Sequence, residues 1–287
     1  MGGAVALVAV PASGGVPPTR VVSFDDGLTE TLVMLGRPPI ATADRQDWSV
    51  WTVEPLLPDS VQNLGSAQEL NTELLVSLKP DLILTTPYLD GLLSTLQRIA
   101  TCERLAVYEP GGDTPVPRAE AVTRRLSALL GIPEQGETLI AATREQFAAD
   151  KARLSQLQPG PLLLVNFLDD RHVRVYGAKS LWQDVLDRIG LTNAWTGATT
   201  YWGFATVGIE QLAAVRDATL VVFAPIPADT WPTLRRSSLW SNLPFVKAGR
   251  MVNLPAILMF GTLPAAGRFS RLLTARLTAG PADGRVL

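Results

Sequence analysis

Short apolar runs recur along this chain, and most are separated from the next by stretches with helical spacing. Residues 20–24 read as a short buried strand, and residues 28–35 as a helix ended by Gly36, which makes a βα opening. The runs at 82–85, 105–108, 162–165 and 220–223 predict further strands. Strands that alternate with helices and lack a polar face argue for α/β architecture with mainly parallel sheets.

One stretch breaks the alternation. Residues 134–158 carry no Pro, hold Gly only at Gly136, and place Leu139, Phe147, Ala148 and Leu154 at helical spacings. Pro133 suits the first turn, and Pro159-Gly160 stops the helix. At 1.5 Å per residue such a helix reaches roughly 35 Å, enough to connect two lobes. The expected layout is a leader at 1–19, an N-terminal α/β lobe at 20–133, the connecting helix at 134–158 and a C-terminal α/β lobe at 159–287. The halves echo each other. Gly65, Asn71-Thr72-Glu73-Leu74-Leu75 and the run at 82–85 match Gly203, Gly208-Ile209-Glu210-Gln211-Leu212 and the run at 220–223. Each predicts a capped helix with Glu in its first turn, followed by a buried strand.

Composition then narrows the function classes. A length of 287 residues fits two lobes, and a net charge of -2 gives no support to nucleic-acid binding. The one cysteine, Cys102, cannot close an intramolecular disulfide and reads as a small core residue. The one histidine, His172, rules out a zinc site that needs two imidazoles. Residues 1–13 are apolar with a small-residue exit and read as an export-signal remnant, with a frayed apolar tail as the alternative. No later segment approaches the ~18 apolar residues of a membrane span.

Enzyme signatures are missing: there is no nucleophile elbow, dinucleotide turn or Walker loop. His172 ends Asp169-Asp170-Arg171-His172 between two apolar runs and reads as part of a hairpin turn. Asp25-Asp26 begins the first helix, where carboxylates cap amides; cleft lining is a second role for them. Aromatic residues are more informative, because ligands of open α/β sheets sit beyond the carboxyl ends of the strands. Tyr88 follows the run at 82–85, and Tyr201-Trp202-Gly203-Phe204 precedes the repeated helix. Trp48 and Trp51 lie in a polar loop with no periodic core face, whereas Trp182, Trp195 and Trp240 read as packing residues.

These residues carry a resemblance. Trp51 with Glu54-Pro55-Leu56-Leu57-Pro58-Asp59-Ser60-Val61, Asp170-Arg171-His172 with Gly177 and Ser180-Leu181, Asn193-Ala194-Trp195, Trp202-Gly203, and Leu239-Trp240 with Pro244-Phe245-Val246-Lys247-Ala248-Gly249-Arg250 occur in order. From Arg20 to Ala279 the chain resembles the periplasmic ferric-hydroxamate-binding proteins of ABC importers, which share their fold class with vitamin B12 binders. The resemblance implies two Rossmann-like lobes with mainly parallel sheets, joined by one long inter-lobe helix around a shallow aromatic cleft. It also implies a periplasmic monomer that carries an iron(III)-hydroxamate siderophore to a membrane permease and needs no cofactor. Iron is then held by the siderophore's oxygens, with no metal ligand from the protein. Trp51, Tyr88 and Trp202 match the family's ligand-contacting aromatics.

Two departures change the expected cleft. The family's hydroxamate-contacting arginine aligns with Ala67, which leaves Gln68 as the nearest polar substitute. The family's Trp-Phe-Tyr run becomes Leu258, Met259 and Phe260, and Phe204 replaces a small polar residue. Glu73 and Glu210 match the exposed glutamates, one per lobe, that pair with permease arginines in this family. Binding of haem or a corrinoid on the same scaffold is the alternative reading, and an enzyme acting on the chelate is a third, without a catalytic constellation to support it.

Overall fold

The computed structural model describes residues 16–67, 69–112 and 114–279. Residues 1–15 of the expected leader, with the whole apolar stretch 1–13, and the candidate site residue Gln68 lie outside the described residues. Strands β1 (Val21–Ser23), β2 (Ala41–Thr42), β3 (Gln62–Asn63), β4 (Leu82–Thr85) and β5 (Thr101–Arg104) form a five-stranded parallel sheet in the order β3-β2-β1-β4-β5. Strands β6 (Leu162–Phe167), β7 (His172–Tyr176), β8 (Phe204–Gly208), β9 (Thr219–Phe223) and β10 (Met251–Leu254) form a second sheet in the order β10-β9-β6-β7-β8. There β7 runs antiparallel to both neighbours, while β6, β9 and β10 are parallel. The chain is therefore the expected two-lobed α/β fold. Ile83, Leu84, Leu163, Leu164 and Val165 are fully buried, because helices cover both faces of each sheet and leave no polar side to alternate with.

The long helix is Pro133–Leu154, starting one residue earlier and ending four residues sooner than the sequence spacing predicts. Proline at 159 disfavours the helical region for the residue before it, and Gln158 turns into the left-handed region at φ 44°. The apolar run at 105–108 is not a strand; pairing places β5 at the more polar Thr101–Arg104. An edge strand tolerates that polarity, because only β4 covers one side of it. The apolar residues leave the sheet and descend into the interior, where Leu105 and Val107 are buried. Of the two repeated helices, Thr72–Ser77 is α-helical and capped by the Asn71 side chain, whereas Ile209–Ala214 is a 3₁₀ segment.

One buried cluster runs through both lobes, with Leu28 and Leu32 from the first helix, Trp182 and Phe223 from the second lobe, and Phe269 from the C-terminal helix Leu263–Thr278. That last helix packs on the long helix and on helices of both lobes, so it is a second link between them. Thr31 and Thr262 hydroxyls meet at 2.5 Å across this junction. Trp182 and Trp240 are buried and Trp195 packs on the second lobe's core, as expected of packing residues. Trp48 is buried too, against expectation, because its indole N–H donates to the Pro55 carbonyl at 2.9 Å and the loop closes over the ring.

Candidate functional site

The carboxyl ends of β1, β4 and β5 open toward the second lobe, where β7, β8 and the segment after β10 face them. Between these elements lies a cleft of about 620 Å³. The first lobe contributes Phe24, Asp25, Pro87, Tyr88 and Tyr108, and the second contributes Arg174, Tyr201, Trp202, Phe204 and Phe260. The volume falls within the range of small-molecule sites, which place a few polar groups among apolar walls.

Trp202 is the centre of the aromatic wall. Its ring centroid lies 4.9 Å from Tyr201, 5.0 Å from Phe260 and 5.5 Å from Tyr108. These spacings are those of favourable tilted and edge-on pairs. Gly203 follows at φ 79°, with no room for a Cβ beside the Lys179-Ser180 backbone, so the loop lies tight against the start of the next helix. The Tyr108 hydroxyl donates to the Gly261 carbonyl at 3.2 Å and ties the lobes together at the cleft's base. Burial pushes its pKa well up, so Tyr108 stays a neutral phenol.

Polar groups are few. Asp25 caps the first helix, where its carboxylate accepts from the Leu28 amide at 2.8 Å, and burial pushes its pKa up. Both roles read for Asp25 from the sequence are thus present, the cap and the cleft lining. Arg174 stands near the middle of β7 with its guanidinium carbon 4.5 Å from the Phe204 centroid. Neither His nor Cys is among the lining residues, and no cluster of His, Cys, Asp or Glu among the described residues could hold a metal ion.

Of the residues singled out in the sequence, Tyr88, Trp202, Phe204 and Phe260 come together around this cleft. Trp51 is outside its lining, 38% exposed on a short helix of the first lobe. Met259 is buried behind the wall, with its sulfur against Arg174 and the Tyr176 hydroxyl, and Leu258 is half-buried in the core. Ala67 packs on the first lobe's cluster and does not line the cleft. Glu73 and Glu210 are exposed in the first turns of their helices and form no ion pair among the described residues. Sequence reasoning missed Tyr108 and Arg174. Strand alternation was the available signal for Arg174: with Val173 and Val175 buried on one face, Arg174 shares the other with Tyr176.

Next to Asp25 in the chain, the carboxyl of Asp26 is pushed up to about 7, chiefly by burial and then by the charges of Asp25, Asp44 and Asp47. The folded chain keeps this proton up to that pH, whereas an unfolded chain releases it near 3.8. The contribution of this carboxyl to stability is therefore greatest at the acid end and is lost as pH rises through this window. Asp26→Asn should raise the melting temperature clearly at pH 8, by about 1–3 kcal/mol of stability, and little at pH 4. Equal gains at both pH values would remove Asp26 as the titrating group.

Residues 21–258 match the periplasmic binding protein family. The chain is 33% identical to the iron(3+)-hydroxamate-binding protein FhuD of Escherichia coli (strain K12) over 261 residues, 91% of this chain and 88% of that protein. Among solved structures it is similar to the siderophore binding protein FhuD from Vibrio cholerae with bound Fe3+-Desferal. That match has a TM-score of 0.86 and 27% identity, and covers 93% of this chain and 100% of the other. It also shares its fold with the triscatecholate siderophore binding protein FeuA of Bacillus subtilis, at TM-score 0.73 and 15% identity over 92% and 94% of the two chains.

Proposed function

Because this chain belongs to the periplasmic binding protein family, we propose that it captures iron(III)-hydroxamate siderophores outside the cytoplasmic membrane and delivers them to the permease of an ABC importer. The observation that carries this reading is the aromatic cleft centred on Trp202, whose one carboxyl, Asp25, is engaged as the cap of the first helix. Three hydroxamates neutralise iron(III) and leave a bulky, weakly polar complex that suits such walls, with the metal held by the siderophore's own oxygens. Relatives support the chelate class: the Escherichia coli protein is named for iron(3+)-hydroxamate and the Vibrio cholerae one holds Fe3+-Desferal. Tyr88, Trp202, Phe204 and Phe260 are the ligand contacts in this reading; Trp51, Leu258 and Met259 reach the ligand only if their segments shift. Glu73 and Glu210, one per lobe, are the permease-docking residues.

Titration of the purified protein with ferrichrome, ferrioxamine B, haem and cobalamin, followed by tryptophan fluorescence, tests the proposal. Saturable quenching by the hydroxamates is expected. Binding of haem or cobalamin alone would favour the corrinoid-type alternative, and turnover of the chelate would favour an enzyme. Trp202→Ala should weaken ferrichrome binding by about ten- to a hundredfold, on the order of 1–3 kcal/mol, with an unchanged melting curve. Full affinity in that variant would take Trp202 out of the site.

A further inference from the structure

Arg174 lacks the carboxylate partner that several other arginines of low exposure have. Arg118 pairs with Glu109 at 2.5 Å, Arg188 with Asp184 at 2.9 Å and Arg268 with Glu54 at 3.1 Å. Arg174 has no ion pair among the described residues. Its guanidinium meets the Met259 sulfur beside the Tyr176 hydroxyl, and its Nε is buried without any hydrogen-bond partner. A guanidinium has five N–H donors and a thioether is a weak acceptor, so most of its bonding capacity is unused. Leaving a buried donor unpaired is costly unless something else fills the place.

Its position is fixed all the same. The backbone at 174 pairs with Asn166 on one side and Thr206 on the other, so ladders hold it from both edges. Phe204 at 4.5 Å and Phe260 at 5.8 Å support the guanidinium by cation–π contact and leave the charge on the cleft surface. Asp25, the carboxyl in the same lining, is engaged by the first helix's amides and does not pair with it.

We propose that Arg174 determines which chelates the cleft accepts, by donating its unused N–H groups to negatively polarised oxygens of the bound ferric complex. The inference rests on the cleft being the chelate site, and it deepens that reading to a charge preference. Complexes with an anionic periphery, such as a ferric citrate-dihydroxamate, are favoured over neutral ones, and neutral ones over those with a cationic tail. A fixed positive charge in a water-poor aromatic site discriminates more strongly than the same charge on the open surface.

The test titrates the intact protein, Arg174→Leu and Arg174→Lys with three chelates: an anionic ferric citrate-dihydroxamate, neutral ferrichrome and cationic ferrioxamine B. Arg174→Leu is expected to weaken the first by about a hundredfold, ferrichrome by about tenfold and ferrioxamine B least, as the loss of charge-assisted hydrogen bonds implies. Arg174→Lys should keep the order of preference and recover only part of the affinity, since an ammonium lacks the planar fork. For the unaltered protein, added salt should weaken the anionic chelate and not the cationic one. That arm needs no variant to fold. Equal losses for all three chelates, or none, would overturn the inference and leave Arg174 as a packing residue, as would identical salt dependence. No saturable binding of any hydroxamate by the unaltered protein would instead overturn the functional reading itself.

Discussion

Arg268→Met should lower the unfolding free energy by about 3–5 kcal/mol and the melting temperature by roughly 10 °C. Arg268 lies on the C-terminal helix with its side chain 7% exposed. Its Nη1 donates to the Thr52 carbonyl at 3.0 Å and to the Ala256 carbonyl, and its Nε donates to Glu54 at 3.1 Å. One guanidinium thus joins a loop of the first lobe, the segment after β10 in the second, and the helix that packs on both. Glu54 is 54% exposed on its side chain and also pairs with Arg271 at 3.1 Å, so losing Arg268 costs that carboxylate little. The two carbonyls have no such recourse, and each buried acceptor left unpaired costs about 1–3 kcal/mol. Methionine fills similar length without a donor, so the loss reports the hydrogen bonds more than a cavity. Glu30, 1% exposed, is held well above the usual carboxylate range by burial, and Arg268 is the charge that opposes that rise. Removing it pushes Glu30 further toward its neutral form rather than stranding a buried anion. Arg268→Lys should restore part of the stability. Chemical denaturation showing a loss under 1 kcal/mol for Arg268→Met would mean that these contacts are replaced by water.

The sequence carried the central strands well because a strand buried on both faces has no choice of composition. The run at 82–85 became β4 with its bounds intact, and Leu162–Phe167 and His172–Tyr176 pair as the expected hairpin. The cap at Asp25 was equally local, since it depends on an amide three residues away. Features set by tertiary contact were not legible. Trp48 looked like a surface ring until the Pro55 carbonyl supplied its hydrogen-bond partner. The polar residues of β5 gave no strand signal, and their apolar neighbours at 105–108 gave a false one. Half of the candidate site was legible for a similar reason: Tyr88, Trp202 and Phe204 stood out as aromatics in or beside loops, while Phe260 came only through the family resemblance. Tyr108 and Arg174 did neither, because each becomes a cleft residue only when the second lobe is set against the first.

The double change Glu73→Gln and Glu210→Gln should leave siderophore affinity and the melting curve nearly unaltered while lowering uptake at least tenfold. Both residues are exposed, and neither lines the cleft. As helix-end charges alone they contribute only ~0.3–1 kcal/mol each, and the Asn71 side chain already satisfies an amide at the first of these helix starts. Stability therefore gives little reason for a carboxylate at both places. The matching positions in the two halves give a better one under the proposed function: a charge on each lobe would fix the orientation of the whole molecule on a permease, so that the cleft between them would face the translocation path. Rim charges of this kind act on association and register more than on the fold. Glutamine keeps the size and hydrogen bonding of the side chain, so only the charge is tested. Each single variant should lose less than the pair, because one anchor still permits encounter but not alignment. The uptake defect should deepen at higher ionic strength in the singles, where the remaining charge is screened. Normal uptake of ferrichrome by the double variant at physiological salt would sink the docking assignment and return Glu73 and Glu210 to the role of helix-end charges.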